Sequence, residues 1–415
     1  MNKQKSYLGP FLTMVFLFFI VGFLTVVFQQ FQKPLESAFL GNVAAIKNTL
    51  SILVTFTWFL AYPIMGGTGA KWVDAYGYKK TLVRALIVMV LGLLISAGSA
   101  WIGSMENPIQ VAGIPLGFFI FLIGSFVVGS AATIMQVVIN PYLSACSVKG
   151  TSSVQRITIG GSSNSIGTTI APFFVAGIVF GGVTISDVKI DQVLIPFIAL
   201  AVTIAVVVFI VSKLTLPNIE GTTNESGEAL EKSIWSFSHL KLGVLGIFFY
   251  VGVEVAIGAN INMYADWLGG SFAERASKMA MLYWGGMLVG RLIGSTLNKV
   301  SAKTQLIVTS IGATILVIVS MATGNPWFLV VIGLLHSIMW PGIFTLAVTD
   351  LGKYTSKGSG ALMIGVVGGA ILPLLQGIMA DALGGNWAWT WVIVILGEIY
   401  ILYYALIGSK VKQKG

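Results

Sequence analysis

Phe248-Phe249-Tyr250-Val251-Gly252-Val253-Glu254-Val255-Ala256-Ile257-Gly258-Ala259-Asn260-Ile261-Asn262-Met263-Tyr264 is, with its flanks, apolar enough to lie in a bilayer. It nevertheless carries a carboxylate near its middle and two amides a turn or two later. A charge at that depth costs at least ~2.5 kcal/mol on the lenient insertion scales, so Glu254 requires a partner or a task. The rest of the chain fits a membrane setting. Of its 415 residues, 56% are hydrophobic and 9% charged, with a mean hydropathy of +0.90, against roughly 25% charged in a soluble domain.

Working outward, runs long enough to span ~30 Å of hydrocarbon fall at about 11–33, 46–70, 81–103, 113–145, 153–180, 192–215, 241–266, 276–298, 304–323, 327–350, 358–383 and 387–408. The sequence therefore predicts an all-α membrane protein with twelve transmembrane helices. The first run has no small-residue cleavage signature and reads as a retained span. The longest connection, Pro217 to His239, carries Glu220, Glu225, Glu228 and Glu231. It divides the chain into a six-helix half at 1–216, a linker at 217–239 and a second half at 240–415. Leu230, Ile234 and Phe237 share a face, which suggests an amphipathic helix in that linker.

The net charge of +9 points to topology rather than to nucleic acid. Of the 24 Lys and Arg, only Lys33, Lys47, Lys189, Arg275 and Lys278 fall on one side of this arrangement. The positive-inside rule then makes the other side, with both termini and the linker, cytoplasmic. The single Cys146 excludes a disulfide and a cysteine metal site, and no metal or cofactor is expected.

The opening stretch has a counterpart, since Phe18-Phe19-Ile20-Val21-Gly22 in the first span matches Phe248-Phe249-Tyr250-Val251-Gly252 in the seventh. Asn140-Pro141 followed by Gly167 and Pro172 matches Trp340-Pro341 followed by Gly368 and Pro373 at nearly the same spacing. Two such matches in order indicate a duplicated six-helix unit with both copies oriented alike, a transporter repeat architecture.

With these motifs the chain resembles the major facilitator superfamily, and within it the fucose/hexose permease family. The resemblance rests on Asp74-Ala75-Tyr76-Gly77-Tyr78-Lys79-Lys80, Asn140-Pro141, Asn164-Ser165-Ile166-Gly167, Tyr250-Val251-Gly252-Val253-Glu254, Gly290-Arg291 and Trp340-Pro341-Gly342-Ile343-Phe344. It implies the major facilitator fold in two pseudo-symmetric halves and sugar uptake across a bacterial inner membrane. It also implies a gating role for Asp74. The family's fucose symporters couple to protons through an aspartate in the first span and a glutamate in the fourth, where this chain has Gln29 and Gln136. Glutamine does not titrate but still donates and accepts hydrogen bonds. Sugar recognition survives that change, and the family's proton-coupling assignment does not.

A sugar site needs neutral donors and acceptors with aromatic faces, at mid-membrane between the halves. Thr133, Gln136 and Asn140 share one face of the fourth span. Asn164 lies in the stripe Gly160, Asn164, Thr168, Pro172. The repeat superposes Gln30, beside Gln29, on Asn260, and Gln136 and Asn140 on His336 and Trp340. Substrate-binding candidates are therefore Gln29, Gln136, Asn140, Asn164, Asn260 and Trp340. Tyr250, Tyr283 and Trp284 offer other stacking surfaces, and packing or helix-helix hydrogen bonding is the competing use of all of them.

Glu254 and His336 are the cation-coupling candidates. A proton fits either, and sodium would want Glu254 ionised among several oxygens. Permanent bonds from Glu254 to Asn164 or Arg291 are the structural alternative, and Arg291 joins Asp74 as a gating candidate. Glu398 has no evident partner and is expected to face a neighbouring helix or to lie nearer a surface.

The sequence as a whole reads as a cation-coupled monosaccharide importer working by alternating access, not an enzyme, and monomeric. Its partners are a sugar, a proton or sodium ion, and the bilayer. An uncoupled carrier, a carrier of an amino sugar or other small polar solute, and a membrane sensor are the alternatives.

Overall fold

A computed structural model describes residues 7–41, 43, 45–146, 148–151, 153–182, 189–216, 232–296, 300–351 and 354–411. The first span is Leu8–Gln30, continued by the short helix Gln32–Phe39. The second and third form one run, Lys47–Gly103, turned at Gly77, where φ is 74° and ψ 170°. That conformation is open essentially only to glycine, which is why the loop between these spans carries one there. The fourth span is Leu116–Ala145, the fifth Ser153–Phe173 running into a π-helical turn Phe174–Val179, and the sixth Leu194–Lys213. The seventh is Ser238–Leu268, the eighth Ala276–Thr296 and the ninth Ala302–Thr323.

The last three spans are interrupted. The tenth breaks between Trp327–His336 and Met339–Val348. The eleventh passes from Thr355–Leu362 through a 3-10 turn, Met363–Val367, into Gly368–Ala382. The twelfth is Val392–Tyr403 with a π-helical end, Tyr404–Gly408. Proline explains part of this: Pro341 has no N–H for the carbonyl of Ser337, so the tenth helix loses a bond where it breaks. The fourth span contains Pro141 and stays helical, so the two copies of the repeat differ here. The expected amphipathic linker helix falls partly on 217–231, outside the described residues; Ile234–Ser236 is a single 3-10 turn.

Packing follows the repeat. The first span lies on the fifth and the seventh on the eleventh, while the fourth packs on the second and third as the tenth packs on the eighth and ninth. Contacts between the halves run second to eleventh and fifth to eighth, pairs that exchange under a two-fold axis. Small residues permit the close approaches: a Cβ on Gly22 would run into the backbone and side chain of Asn164, and one on Gly368 into the carbonyl of Phe248. The first half fills its centre with rings, Phe28 against Trp58 at 5.1 Å and Phe31 against Phe197 at 5.1 Å. The second half places its polar residues at the same depth.

Candidate functional site

Four spans of the second half bring titratable side chains together at mid-depth. His336, the last residue before the break in the tenth span, donates or accepts on both ring nitrogens. Its Nδ1 lies 2.7 Å from the Tyr283 hydroxyl of the eighth span, and its Nε2 lies 2.7 Å from Oε1 of Glu398 of the twelfth. His336 and Glu398 are both 0% exposed. Glu398 therefore faces a neighbouring helix, the first of the two places expected for it, and has there the partner that the sequence did not show. Its partner is remote in sequence, and the two side chains meet because the tenth and twelfth spans both pack on the seventh and the ninth.

The Tyr283 hydroxyl also reaches the backbone carbonyl of Glu254 at 3.1 Å. The Glu254 carboxyl, half-buried on the seventh span, lies within electrostatic reach of Arg291 and His336 and beside Tyr250. Arg291 donates to the carbonyl of Gly161 at 2.8 Å and to the Ser165 hydroxyl of the fifth span. The eighth span is thus tied to the first half by a cation that also faces the central carboxylate. Trp340 is half-buried, its ring 6.2 Å from that of Tyr250.

In the first half, Gln136 donates to the hydroxyl of Tyr62 at 2.5 Å, and Tyr62 stacks on Phe59 at 5.7 Å. Phe59 in turn lies against Gly369 of the eleventh span. Sequence reasoning missed Tyr62, which lies one residue before Pro63 in a run with no other polar landmark. Asn140 is half-buried one turn from Gln136. Asn164 donates to the Phe18 carbonyl at 3.0 Å, so in this conformation it serves the first-to-fifth packing, the use weighed against ligand binding.

Gln29 is 1% exposed and neither end of its amide has a hydrogen-bond partner among the described residues. Its neighbour Gln30 meets the seventh span at Asn262 (2.5 Å) and at the Gly258 carbonyl (3.3 Å). Asn260 donates to Gln376 of the eleventh span at 2.9 Å, and its own oxygen has no partner among the described residues. Buried polar atoms without partners are rare, and a polar ligand is one explanation for them.

The two faces of the protein differ. On the face away from the Gly77 turn, Lys33 pairs with Glu36 at 2.6 Å and with Asp266 of the seventh span at 2.8 Å. Asp381 of the eleventh span accepts from Asn48 and Thr49, at the start of the second, and Trp387 donates to Asn48 at 3.2 Å. These ties close that face over Gln30 and Asn262, beneath a cavity of about 480 Å³ lined by Lys33, Asp266, Asp381 and Trp387. On the other face the second span is exposed at Pro63, Ile64, Gly67 and Asp74, and a Cβ on Gly66 or Gly67 would meet nothing within 4 Å. Towards that face Arg291 still joins the halves, through the Gly161 carbonyl and the Ser165 hydroxyl. Asp74 has no ion pair among the described residues.

The sequence profile of the Major Facilitator Superfamily matches residues 7–366. A glucose/galactose transporter of Brucella abortus is 35% identical, the match covering 99% of this chain and 96% of that protein. An L-fucose-proton symporter of Haemophilus influenzae is 23% identical, covering 91% of this chain and 90% of the other. The crystal structure of a D-xylose-proton symporter superposes with a TM-score of 0.72 at 14% identity, over 98% of this chain and 99% of that one, a likeness of fold.

Proposed function

We propose that this chain, which belongs to the Major Facilitator Superfamily, carries a monosaccharide across a bacterial cytoplasmic membrane by alternating access and couples that movement to a proton through Glu254. The halves 1–216 and 240–415 move as the two rocking bodies, joined by the linker 217–239, with both termini in the cytoplasm. The observation that carries the reading is a pair of six-helix halves tied on one face by Lys33–Asp266 and Asp381–Asn48, with half-buried polar side chains in the spans that face each other. Those half-buried side chains are neutral amides and rings, Gln136 with Tyr62, Asn140 and Trp340, and one carboxylate, Glu254. A sugar presents hydroxyls around apolar CH faces, and that set of side chains matches it. Gln29 and Asn260, with unpartnered amide atoms, complete the site when the sugar enters, and Asn164 joins it as the first span moves. The relationship to a protein named as a glucose/galactose transporter favours a hexose.

Coupling follows from charge. An ionised Glu254 holds the Arg291 guanidinium by attraction, and a protonated one releases it. Arg291 ties the eighth span to the fifth, so this change of charge bears on whether the halves can separate. His336 lies behind Glu254, and Asp74 engages basic partners when the cytoplasmic face closes.

The test is uptake of labelled glucose and galactose into proteoliposomes with and without a pH or a sodium gradient. Wild type accumulates sugar under the pH gradient. Glu254→Gln keeps counterflow exchange and loses accumulation, and accumulation at the wild-type level by that variant refutes the coupling role.

A further inference from the structure

Behind Glu254, and used by no step above, stands the hydrogen-bonded row Tyr283, His336, Glu398. Its bonds can be assigned in two ways. The Tyr283 hydroxyl has one proton and two acceptors in reach, Nδ1 of His336 at 2.7 Å and the Glu254 carbonyl at 3.1 Å. If it donates to Nδ1, the imidazole is neutral, its Nε2–H donates to Glu398, and the row carries one negative charge. If it donates to the carbonyl, Nδ1 must itself donate to the tyrosine oxygen. The imidazole then holds both protons beside an ionised Glu398, and the row is neutral. The two assignments differ by one proton, and the heavy atoms need not move.

We propose that Tyr283, His336 and Glu398 form the seat of the transported proton, with His336 Nδ1 as acceptor, Glu398 as the fixed counter-charge, and Tyr283 as the switch that reports occupancy to the seventh span. This rests on the proton-coupled reading above and adds a second station to it. His336 is fully buried, so the proton reaches it through the Tyr283 hydroxyl, its bonded neighbour on the side of the seventh span. An imidazolium at this depth is tolerable only with an opposite charge in contact, which Glu398 supplies. Oε2 of Glu398 has no partner among the described residues, so nothing but His336 holds that carboxyl. The other titratable groups facing the row are Tyr250 and Glu254 on the seventh span and Arg291 on the eighth. The ninth span has only Lys303, at its end. Arg291 is a permanent cation engaged with the fifth span and accepts no proton, which leaves His336 as the basic nitrogen of the row.

The test uses the full chain in proteoliposomes. With one proton per sugar, a one-unit pH gradient drives about tenfold accumulation in wild type. In Glu398→Gln accumulation falls to unity, counterflow persists, and the dependence of the exchange KM on pH flattens. Glu398→Asp restores part of the gradient-driven uptake. Tyr283→Phe keeps the ring and the His336–Glu398 bond but moves the midpoint of the pH profile. Accumulation and a pH profile like wild type in Glu398→Gln overturn the proposal. If Glu398→Gln also loses counterflow, Tyr283→Phe decides, and an unchanged midpoint overturns it. Should Glu254→Gln lose accumulation while Glu398→Gln retains it, the row fails and the Glu254 reading stands. The reverse pattern supports the row and removes Glu254 from coupling. A wild type that exchanges sugar yet ignores the pH gradient sinks both.

Discussion

Removing the carboxylate of Asp381 should open the closed face. The helix beginning at Lys47 has Ile46 at its N-cap position and no cap from its own chain neighbours. Asp381, from the other half, takes that role. It accepts from the Asn48 N–H at 3.1 Å and Nδ2 at 2.8 Å, and from the Thr49 N–H at 2.7 Å and hydroxyl at 2.5 Å. A lost N-cap costs ~0.5–2 kcal/mol, and an anion at a helix N-terminus contributes ~0.3–1 kcal/mol more at partly exposed sites. The tie exists only while this face is closed, so Asp381→Ala takes roughly 1–3 kcal/mol from that state alone, a shift of ~5–150-fold in the balance between conformations. Met263 lines the cavity over this face and is 2% exposed. In a Cys146→Ser background, Met263→Cys should react with a membrane-impermeant maleimide only when the face opens. Asp381→Ala should raise that rate by about an order of magnitude within the range above, and Asp381→Asn, which keeps the shape without the charge, should fall between. A rate unchanged by Asp381→Ala refutes the capping argument.

Gln29→Leu removes a buried amide that no protein group satisfies, and an unpaired buried group costs ~1–3 kcal/mol. The variant should melt at or above the wild-type temperature while its exchange KM for sugar rises about tenfold or more; a lower Tm with unchanged KM argues against Gln29 as a ligand. Gly368→Ala places a methyl against the Phe248 carbonyl and should cost ~1–3 kcal/mol, read as a fall in Tm in detergent; no fall contradicts the close crossing. For orientation, Ser104→Cys and Ser271→Cys, both exposed on the face away from the Gly77 turn, should label from outside intact cells in a Cys146→Ser background. Lys80→Cys should label only after permeabilisation, and the opposite pattern inverts the topology.

Much of the architecture was legible because a bilayer restricts the choices. Twelve long apolar runs, a linker between two sets of six and a basic bias on one side leave few folds. The Phe-Phe/Val-Gly match between the first and seventh spans gave the repeat, and the contacts second to eleventh and fifth to eighth follow it. Glu254 and His336 stood out as costly residues, and their spans do bring them within electrostatic reach. Tyr62 did not stand out, because a tyrosine in an apolar helix reads equally well as core. Glu398 was visible as a buried acid, but its partner was not. His336 and Glu398 are 62 residues apart, and no periodicity within one helix encodes a meeting between two.

The sequence alone determined that this is a duplicated, twelve-span membrane protein with a central acid in its second half, since hydrophobic length, charge bias and repeat are properties of the linear chain. Tertiary structure decided how the rest is used. It set Gln30 against Asn262, assigned Asn164 to helix packing in this conformation, left Asp74 without an ion pair among the described residues and gave Asp381 to the opposite gate. It also turned two isolated titratable residues, His336 and Glu398, into one bonded pair. Side chains on a helix have a fixed direction only once the helix is rotated and tilted against its neighbours, and that rotation is set by close packing among all twelve.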